Sequence, residues 1–349
     1  MTERNYKEQM VADRRWLHAH PEDGWNEFET TYFIVKRLEE LGLKALAGIE
    51  VIEPEAVMGR NEEAAQAAQA RALAHGVPEA FLKRLGGYTG AMAVLETGRP
   101  GPVTAIRVDI DSLPIEETTK PEHEANQGHF RSEYPGFSHA CGHDGHTAVG
   151  LGVAAWLADH KDSLNGTIKV LFQPAEEGGG GAKAMIKDGV LENPHVDILL
   201  GMHLLFNPAG TLAFKRGYAL TASDSFTLTI TGKGGHGAKP HETNDVVLTA
   251  CKAVENLHQI VSRKINPQRM AILSVGSIQS GTASNVLPET ATIRGTVRTL
   301  ETDVQEQMIA GVRAAAQSAC DFTGAEFNLD YRIMEPAVHN DDAVMAHIT

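Results

Sequence analysis

Residues 168–179 read IKVLFQPAEEGG: a short apolar run from Ile168 to Phe172, a break at Pro174, then two acids, Glu176 and Glu177, ahead of a glycine turn. A run of that length, bounded by turn signals, predicts a buried strand. Similar runs occur at Ala91–Leu95, Val103–Val108 and Val196–Leu200, and helical stretches at Ala148–Leu157 and Ala182–Lys187 lie between the later ones. Strand–helix–strand alternation with continuously apolar strands predicts an α/β domain, its sheet mostly parallel and covered by helices on both faces.

Upstream, helices are predicted over Tyr6–Leu17 and Glu27–Leu41; the second sets Phe28, Tyr32, Val35, Leu38 and Leu41 at near-helical spacing and ends at Gly42. Asn61–His75 is an alanine-rich helix with Asn61 as its cap and Gly76 as its stop. Its apolar side is mostly alanine, so it is expected to be a solvated accessory hairpin. Downstream of about Ala219 the rhythm changes to strand 226–231, helix 245–261, strands 270–278 and 290–299, helix 302–322 and strand 327–333. That is the β-α-β-β-α-β order of a ferredoxin-like α+β unit. The domains expected are 1–218, continued at 334–349, with 219–333 inserted as the smaller one.

The chain has 349 residues, 42% of them hydrophobic and 22% charged, the make-up of a soluble globular protein. Its formal charge of −14 argues against a nucleic-acid partner. No run approaches the roughly 20 apolar residues that cross a bilayer, so no membrane partner is expected. The best run, Val196–Phe206, is interrupted by Asp197 and His203. The first residues have no apolar core of a secretory signal, and only three cysteines occur, Cys141, Cys251 and Cys320. A reducing, cytoplasmic setting is therefore expected.

The chemistry collects at the predicted strand ends. Val103–Val108 runs into Asp109 and Asp111, Ile168–Phe172 into Glu176 and Glu177, and Val196–Leu200 into His203. Open α/β sheets bind ligands beyond the carboxyl ends of their strands. The densest cluster is HACGHDGH, residues 139–146, where Cys141 and His143 flank one glycine and can face one centre. Thiolate, imidazole and carboxylate together suit a transition metal rather than calcium or magnesium, and a set drawn from several strands predicts an open catalytic site. His139 and His146 are either ligands or supports of ligands. Of the adjacent acids, one can bind metal while the other serves as general base.

HACGHDGH, FQPAEEGG, GMH, GKGGHGAKPH and SNVLPETATIRGTVRT together resemble the dinuclear metallo-amidohydrolases of peptidase family M20, in their aminoacylase and hippurate hydrolase branch. The segment from about Val51 to Gly87 and the following GGYTGAMAVLETGRPGPVTAIRVDIDSL are similar to the p-aminobenzoyl-glutamate hydrolase group. The resemblance implies two divalent metal ions, Mn2+ or Zn2+, held by Cys141, His143, Glu177 and His203. It implies Glu176 as general base and Asp111 as the acid that orients the centre. Where other branches have His-x-Asp, this chain has Asp109. In the smaller domain, a dimerisation or lid domain by resemblance, His236 would stabilise the oxyanion across a homodimer or heterodimer. Asn285 would assist it, and Arg298 would hold the substrate's carboxylate. The implied substrate is an N-acyl or N-aroyl amino acid such as p-aminobenzoyl-glutamate, with hippurate, N-acetyl amino acids or small peptides as alternatives. The family's last metal ligand lies in a C-terminal segment without a counterpart here, since His339 and His347 stand in the wrong surroundings. The competing reading is therefore a truncated, non-catalytic dimerising chain.

Overall fold

The computed structural model describes residues 4–348, and their contacts divide the chain after Ala209. The first unit is built on five strands: β1 (Lys44–Ala47), β2 (Ala91–Glu96), β3 (Val103–Asp109), β4 (Thr167–Gln173) and β5 (Ile198–Gly201), in the order β1-β2-β4-β3-β5. β3 runs parallel to β4 and to β5, whereas β1 with β2 and β2 with β4 are antiparallel. The sheet is thus mixed, which corrects the expectation of a mostly parallel one. The reason lies in residues 97–102, TGRPGP, which join β2 to β3. A parallel return needs a crossover of about a dozen residues or more; a link this short only turns the chain back.

Its helices are α1 (Tyr6–Ala19), α2 (Phe28–Glu40), α3 (Glu62–Ala74), α4 (Glu79–Leu85), α5 (Glu124–Gln127), α6 (His143–Asp159) and α7 (Gly181–Asp188). They cover both faces of the sheet, as β4 shows. Ile168, Val170 and Phe172 enter a core with Phe28, Ile34 and Leu38 of α2 and Leu151 and Ala154 of α6. Leu171 enters the opposite core with Met92, Ala105 and Ala184 and Met185 of α7. Fully burying each large apolar side chain is worth roughly 1.5–3 kcal/mol. Lys169 is also fully buried on β4, and its ammonium donates to the carbonyls of Val190 (2.6 Å) and Pro194 (2.8 Å). Those two acceptors let a cation sit in the strand that the sequence shows as apolar.

The alanine-rich helix is not the solvated hairpin expected of it. Asn61 caps α3 by accepting the N–H of Ala64, but Ala65, Ala68 and Ala72 are buried in the α2 core. Their small side chains permit close packing. Arg71, on the same helix, donates to Glu22 (2.7 Å) and Glu29 (3.0 Å).

The second unit contains β6 (Gly217–Leu220), β7 (Ala222–Thr231), β8 (Gly235–His236), β9 (Ala271–Ser280), β10 (Val286–Leu287), β11 (Thr290–Thr299), β12 (Glu326–Glu335) and β13 (Val338–Asn340), with α8 (Val246–Lys264), α9 (Thr302–Thr323) and α10 (Asp342–Ile348). β7, α8, β9, β11, α9 and β12 form an antiparallel four-stranded sheet backed by two helices, strand order β12-β7-β11-β9. Phe226, Leu228 and Ile230, alternate residues of β7, pack against Val246, Ala250 and Leu257 of α8 and Met308 and Val312 of α9. This is the β-α-β-β-α-β arrangement expected there. β13 pairs with β6, so residues 338–340 group with this unit and not with the first; the division also falls earlier than the expected 218/219 boundary. Among the described residues no helix is long and apolar enough to cross a membrane.

Candidate metal centre

Three parallel strands of the first unit bring acids and a histidine to one edge of the sheet. β3 ends at Asp109, with Asp111 just beyond; β4 leads into Glu176 and Glu177; β5 leads into His203. The fourth contribution is the entry to α6. Gly142, its cap, adopts φ +87°, a left-handed conformation that glycine takes without strain, so Cys141 and His143 on either side face the same space.

His143 is the hub. Its ligand atoms lie within 4.8 Å of those of Cys141 and His203, of Glu176 and Glu177, and of Asp109 and His146. Asp111 accepts its Nδ1–H (3.2 Å) and, through the other carboxylate oxygen, the backbone N–H of Glu177 (2.9 Å). Asp111 therefore fixes both the imidazole and the turn that carries the two acids. The remaining nitrogen, Nε2, is buried and has no hydrogen-bond partner among the described residues, and it faces Asp109 (3.7 Å) and Glu177 (3.9 Å). His203 donates Nδ1–H to the carbonyl of Leu204 (2.7 Å), which leaves its Nε2 lone pair 3.5 Å from the Cys141 sulfur. Sulfur and nitrogen ligands on one tetrahedral ion stand about 3.6 Å apart.

The electrostatics call for a cation. Burial and the carboxylates of Asp109 and Glu177 raise the Glu176 pKa to about 7. Burial, Glu177, Glu176 and Asp109 push the Cys141 thiol up to about 12. Burial alone would lower His143, but Asp111, Asp109 and Glu176 raise it to about 9. Each shift is a proton held to offset crowded negative charge, and a divalent ion offsets the same charge. The orphaned Nε2 of His143, the sulfur–nitrogen spacing and the donor chemistry fit a transition-metal centre.

Neighbouring residues brace this set. Of the two histidines whose roles the sequence leaves open, His146 is a support: its Nδ1–H donates to Asp109 (2.5 Å) and its Nε2 accepts the N–H of Leu204 (2.8 Å). His139 is buried with neither nitrogen hydrogen-bonded among the described residues, and burial lowers its pKa to about 4. Asp109 also meets Arg107 (2.8 Å) in an ion pair that is not an aligned hydrogen bond, and despite burial His146, Arg107 and His143 hold its pKa at about 2. Glu27 is a residue the sequence did not single out. It is fully buried, accepting the N–H of Ala175 (2.8 Å) and the hydroxyl of Thr89 (2.7 Å). Ala175 sits at φ +49°, in left-handed space, and Gly24 lies so close that a Cβ there would be 3.0 Å from the Ala175 Cα. The turn presenting Glu176 and Glu177 is thus held from behind. No sequence signal marks it, because its partners Thr89 and Ala175 lie 62 and 148 residues away.

His236, Asn285 and Arg298 belong to the second unit. His236 lies on β8, paired with Val286 of β10, and its Nδ1 accepts the N–H of Ala238 (3.1 Å), which leaves the proton on Nε2. Asn285 precedes β10 and its carbonyl accepts the N–H of Gly237 (2.9 Å), so the two residues share one ribbon. Arg298 lies on β11, meets only the carbonyls of Asp224 and Val297, and has no ion pair among the described residues.

Residues 105–349 match the profile of Peptidase family M20/M25/M40. The chain is 37% identical over 339 residues to N-acetyl-L-cysteine deacetylase of Bacillus subtilis, covering 97% of this chain and 70% of that protein. It is 36% identical over 328 residues to a p-aminobenzoyl-glutamate hydrolase chain of Escherichia coli, covering 93% and 73%. Among solved structures it resembles the Bacillus subtilis YxeP protein, described as a dinuclear metal-binding peptidase of this family, with a TM-score of 0.74 at 29% identity over 99% of this chain and 78% of that one.

Proposed function

The chain belongs to peptidase family M20/M25/M40, hydrolases of amide and peptide bonds, and from that footing we propose that it hydrolyses the amide bond of N-acyl or N-aroyl amino acids. The observation that carries this reading is the convergence of Cys141, His143, Glu177 and His203 around one space at the sheet edge. These four would hold a pair of divalent ions, Mn2+ or Zn2+, which when bound polarise a carbonyl and lower the pKa of water toward about 7.

Each surrounding residue then has a task. Glu176 takes the proton of the attacking water and returns it to the departing amine. It stands in the same Glu27-braced turn as Glu177, so base and ligand are placed together. Asp111 keeps the proton of His143 on Nδ1 and so aims Nε2 into the site. Asp109, pinned by His146 and Arg107, adds fixed negative charge. His236 offers an Nε2–H because its Nδ1 is engaged, the donor an oxyanion needs. Supplied by the second protomer of a dimer and assisted by Asn285, it would complete the site. Arg298, with no acid of its own, receives the substrate's α-carboxylate in a planar fork.

The preferred substrate is p-aminobenzoyl-glutamate, then hippurate and N-acetyl amino acids, in keeping with the names of the E. coli and Bacillus relatives. The test is an amide-hydrolysis screen of these compounds with protein reconstituted in Mn2+ or Zn2+, beside Glu176→Ala. Turnover by the parent, and a kcat lower by orders of magnitude in a variant that keeps its metal, is expected. A variant hydrolysing at the parent rate removes Glu176 from the mechanism, and no turnover of any member of the screen removes the activity.

A further inference from the structure

A second group of metal-ligating side chains lies in the first unit, where α1 meets the loop that follows β3. His18 of α1 and Glu117 of the loop are buried, and His123, which precedes α5, is partly exposed. Nε2 of His18 stands 2.9 Å from Oε1 of Glu117, and Nε2 of His123 stands 2.8 Å from the same oxygen. The three donor atoms fall within 4.8 Å of one another.

An ordinary buried ion pair needs one imidazole. Here two, from separate segments, converge on a single carboxylate oxygen. The groups behind them are arranged as they are behind metal ligands. Asp144 accepts from Nδ1 of His18 (2.9 Å), which turns Nε2 toward Glu117, and the N–H of Ser132 holds the other oxygen of Glu117 (2.7 Å). A carboxylate behind a histidine and a backbone donor behind a carboxylate are the usual outer supports of a zinc ligand set. The charges agree. Both nitrogens of His18 meet a carboxylate, Asp144 on one side and Glu117 on the other, so each carries a hydrogen, and the Nε2 proton between His18 and Glu117 occupies the place a metal ion would take; Arg14 pairs with Asp144 (2.9 Å), and Arg131 with Glu116. Two imidazole nitrogens and one carboxylate oxygen suit zinc rather than the all-oxygen ions, and three protein donors leave a coordination position open. The partly exposed edge of His123 is the way in.

We propose that His18, Glu117 and His123 form a zinc site of their own, distinct from the Cys141–His143 centre and independent of the amidohydrolase reading. Zinc there replaces the protons that the two Nε2 atoms share with Glu117. It clamps the loop after β3 onto α1 and, through Asp144, onto the first turn of α6.

The test uses the whole protein, stripped with chelator and titrated with zinc chloride, with bound zinc counted by native mass spectrometry and melting followed in parallel. The parent is expected to take up one more zinc than His123→Gln, with a rise in melting temperature that the variant lacks. Glu117→Gln, which keeps the shape of the side chain, is expected to lose the same ion with unchanged circular dichroism. Cys141→Ser is expected to lose zinc from the other centre while keeping the His123-dependent ion, so the two sites fail separately. Equal zinc counts in the parent and His123→Gln at every concentration would overturn the proposal, as would loss of the His123-dependent ion in Cys141→Ser alone.

Discussion

Asp111→Asn probes how the centre is oriented. The aspartate accepts two bonds, one on each oxygen, from Nδ1–H of His143 (3.2 Å) and from the N–H of Glu177 (2.9 Å). An asparagine offers one acceptor and one NH2 group, so one of those donors must face another donor. A hydrogen bond to a charged group contributes about 1.5–3 kcal/mol. Losing a support behind a metal ligand typically costs roughly 10–100-fold in metal affinity or activity, which converts to about 1.4–2.7 kcal/mol. The two ranges overlap, so the expected loss is that of one bond. The assay is calorimetric titration with Mn2+ alongside kcat/KM for p-aminobenzoyl-glutamate, with melting curves to verify folding. Asp111→Asn protein that is folded, binds Mn2+ as the parent does and turns over at the parent rate would refute the orienting role.

Other substitutions follow from the same geometry. Glu27→Ala removes the acceptor that holds Ala175 at φ +49°, so weaker Mn2+ binding and lower kcat are expected from a residue that reaches no substrate; unchanged binding and turnover would show that the turn holds itself. Phe172→Ala empties a fully buried position between α2 and α6 and should cost about 3–5 kcal/mol of stability, read by denaturant unfolding. Glu29 should make the first unit acid-sensitive. Burial opposes its ionisation, yet bonds from His75, Tyr134 and Arg71 hold its pKa below the usual 4.5. A depressed folded pKa adds stability that is present above the ordinary value and lost as pH falls through the folded one. Glu29→Gln should therefore melt lower than the parent at neutral pH, with the gap closing as the solution is acidified below the ordinary glutamate range; a gap that stays constant with pH would contradict this.

Much of the architecture is legible because each element carries its own signal. Alternate apolar positions mark Phe226, Leu228 and Ile230 as one face of β7, and a glycine or proline follows β1, β2 and β4 within two residues. Strand direction is not legible in the strands themselves, since β2 looks like the mutually parallel β3, β4 and β5, and only the brevity of 97–102 sets it antiparallel. α3 hides its burial because Ala65, Ala68 and Ala72 cover little area each and leave almost no apolar asymmetry in the sequence. In the centre, Cys141, His143, Glu177 and His203 stand out by residue type and by position after a strand or before a helix. The supports do not stand out. The role of His146 depends on Asp109 and on the N–H of Leu204, 58 residues away, and that of Glu27 on Ala175, 148 residues away. No local pattern reports such contacts.

The central claim is that Cys141, His143, Glu177 and His203 share one metal centre. It is tested most directly by an anomalous-difference map from crystals of the protein loaded with Mn2+ and collected at the manganese edge. Peaks within bonding reach of Nε2 of His143 and flanked by Cys141, Glu177 and His203 are the predicted result. Crystals of Mn2+-dependent, active protein with no peak among these four residues would contradict it.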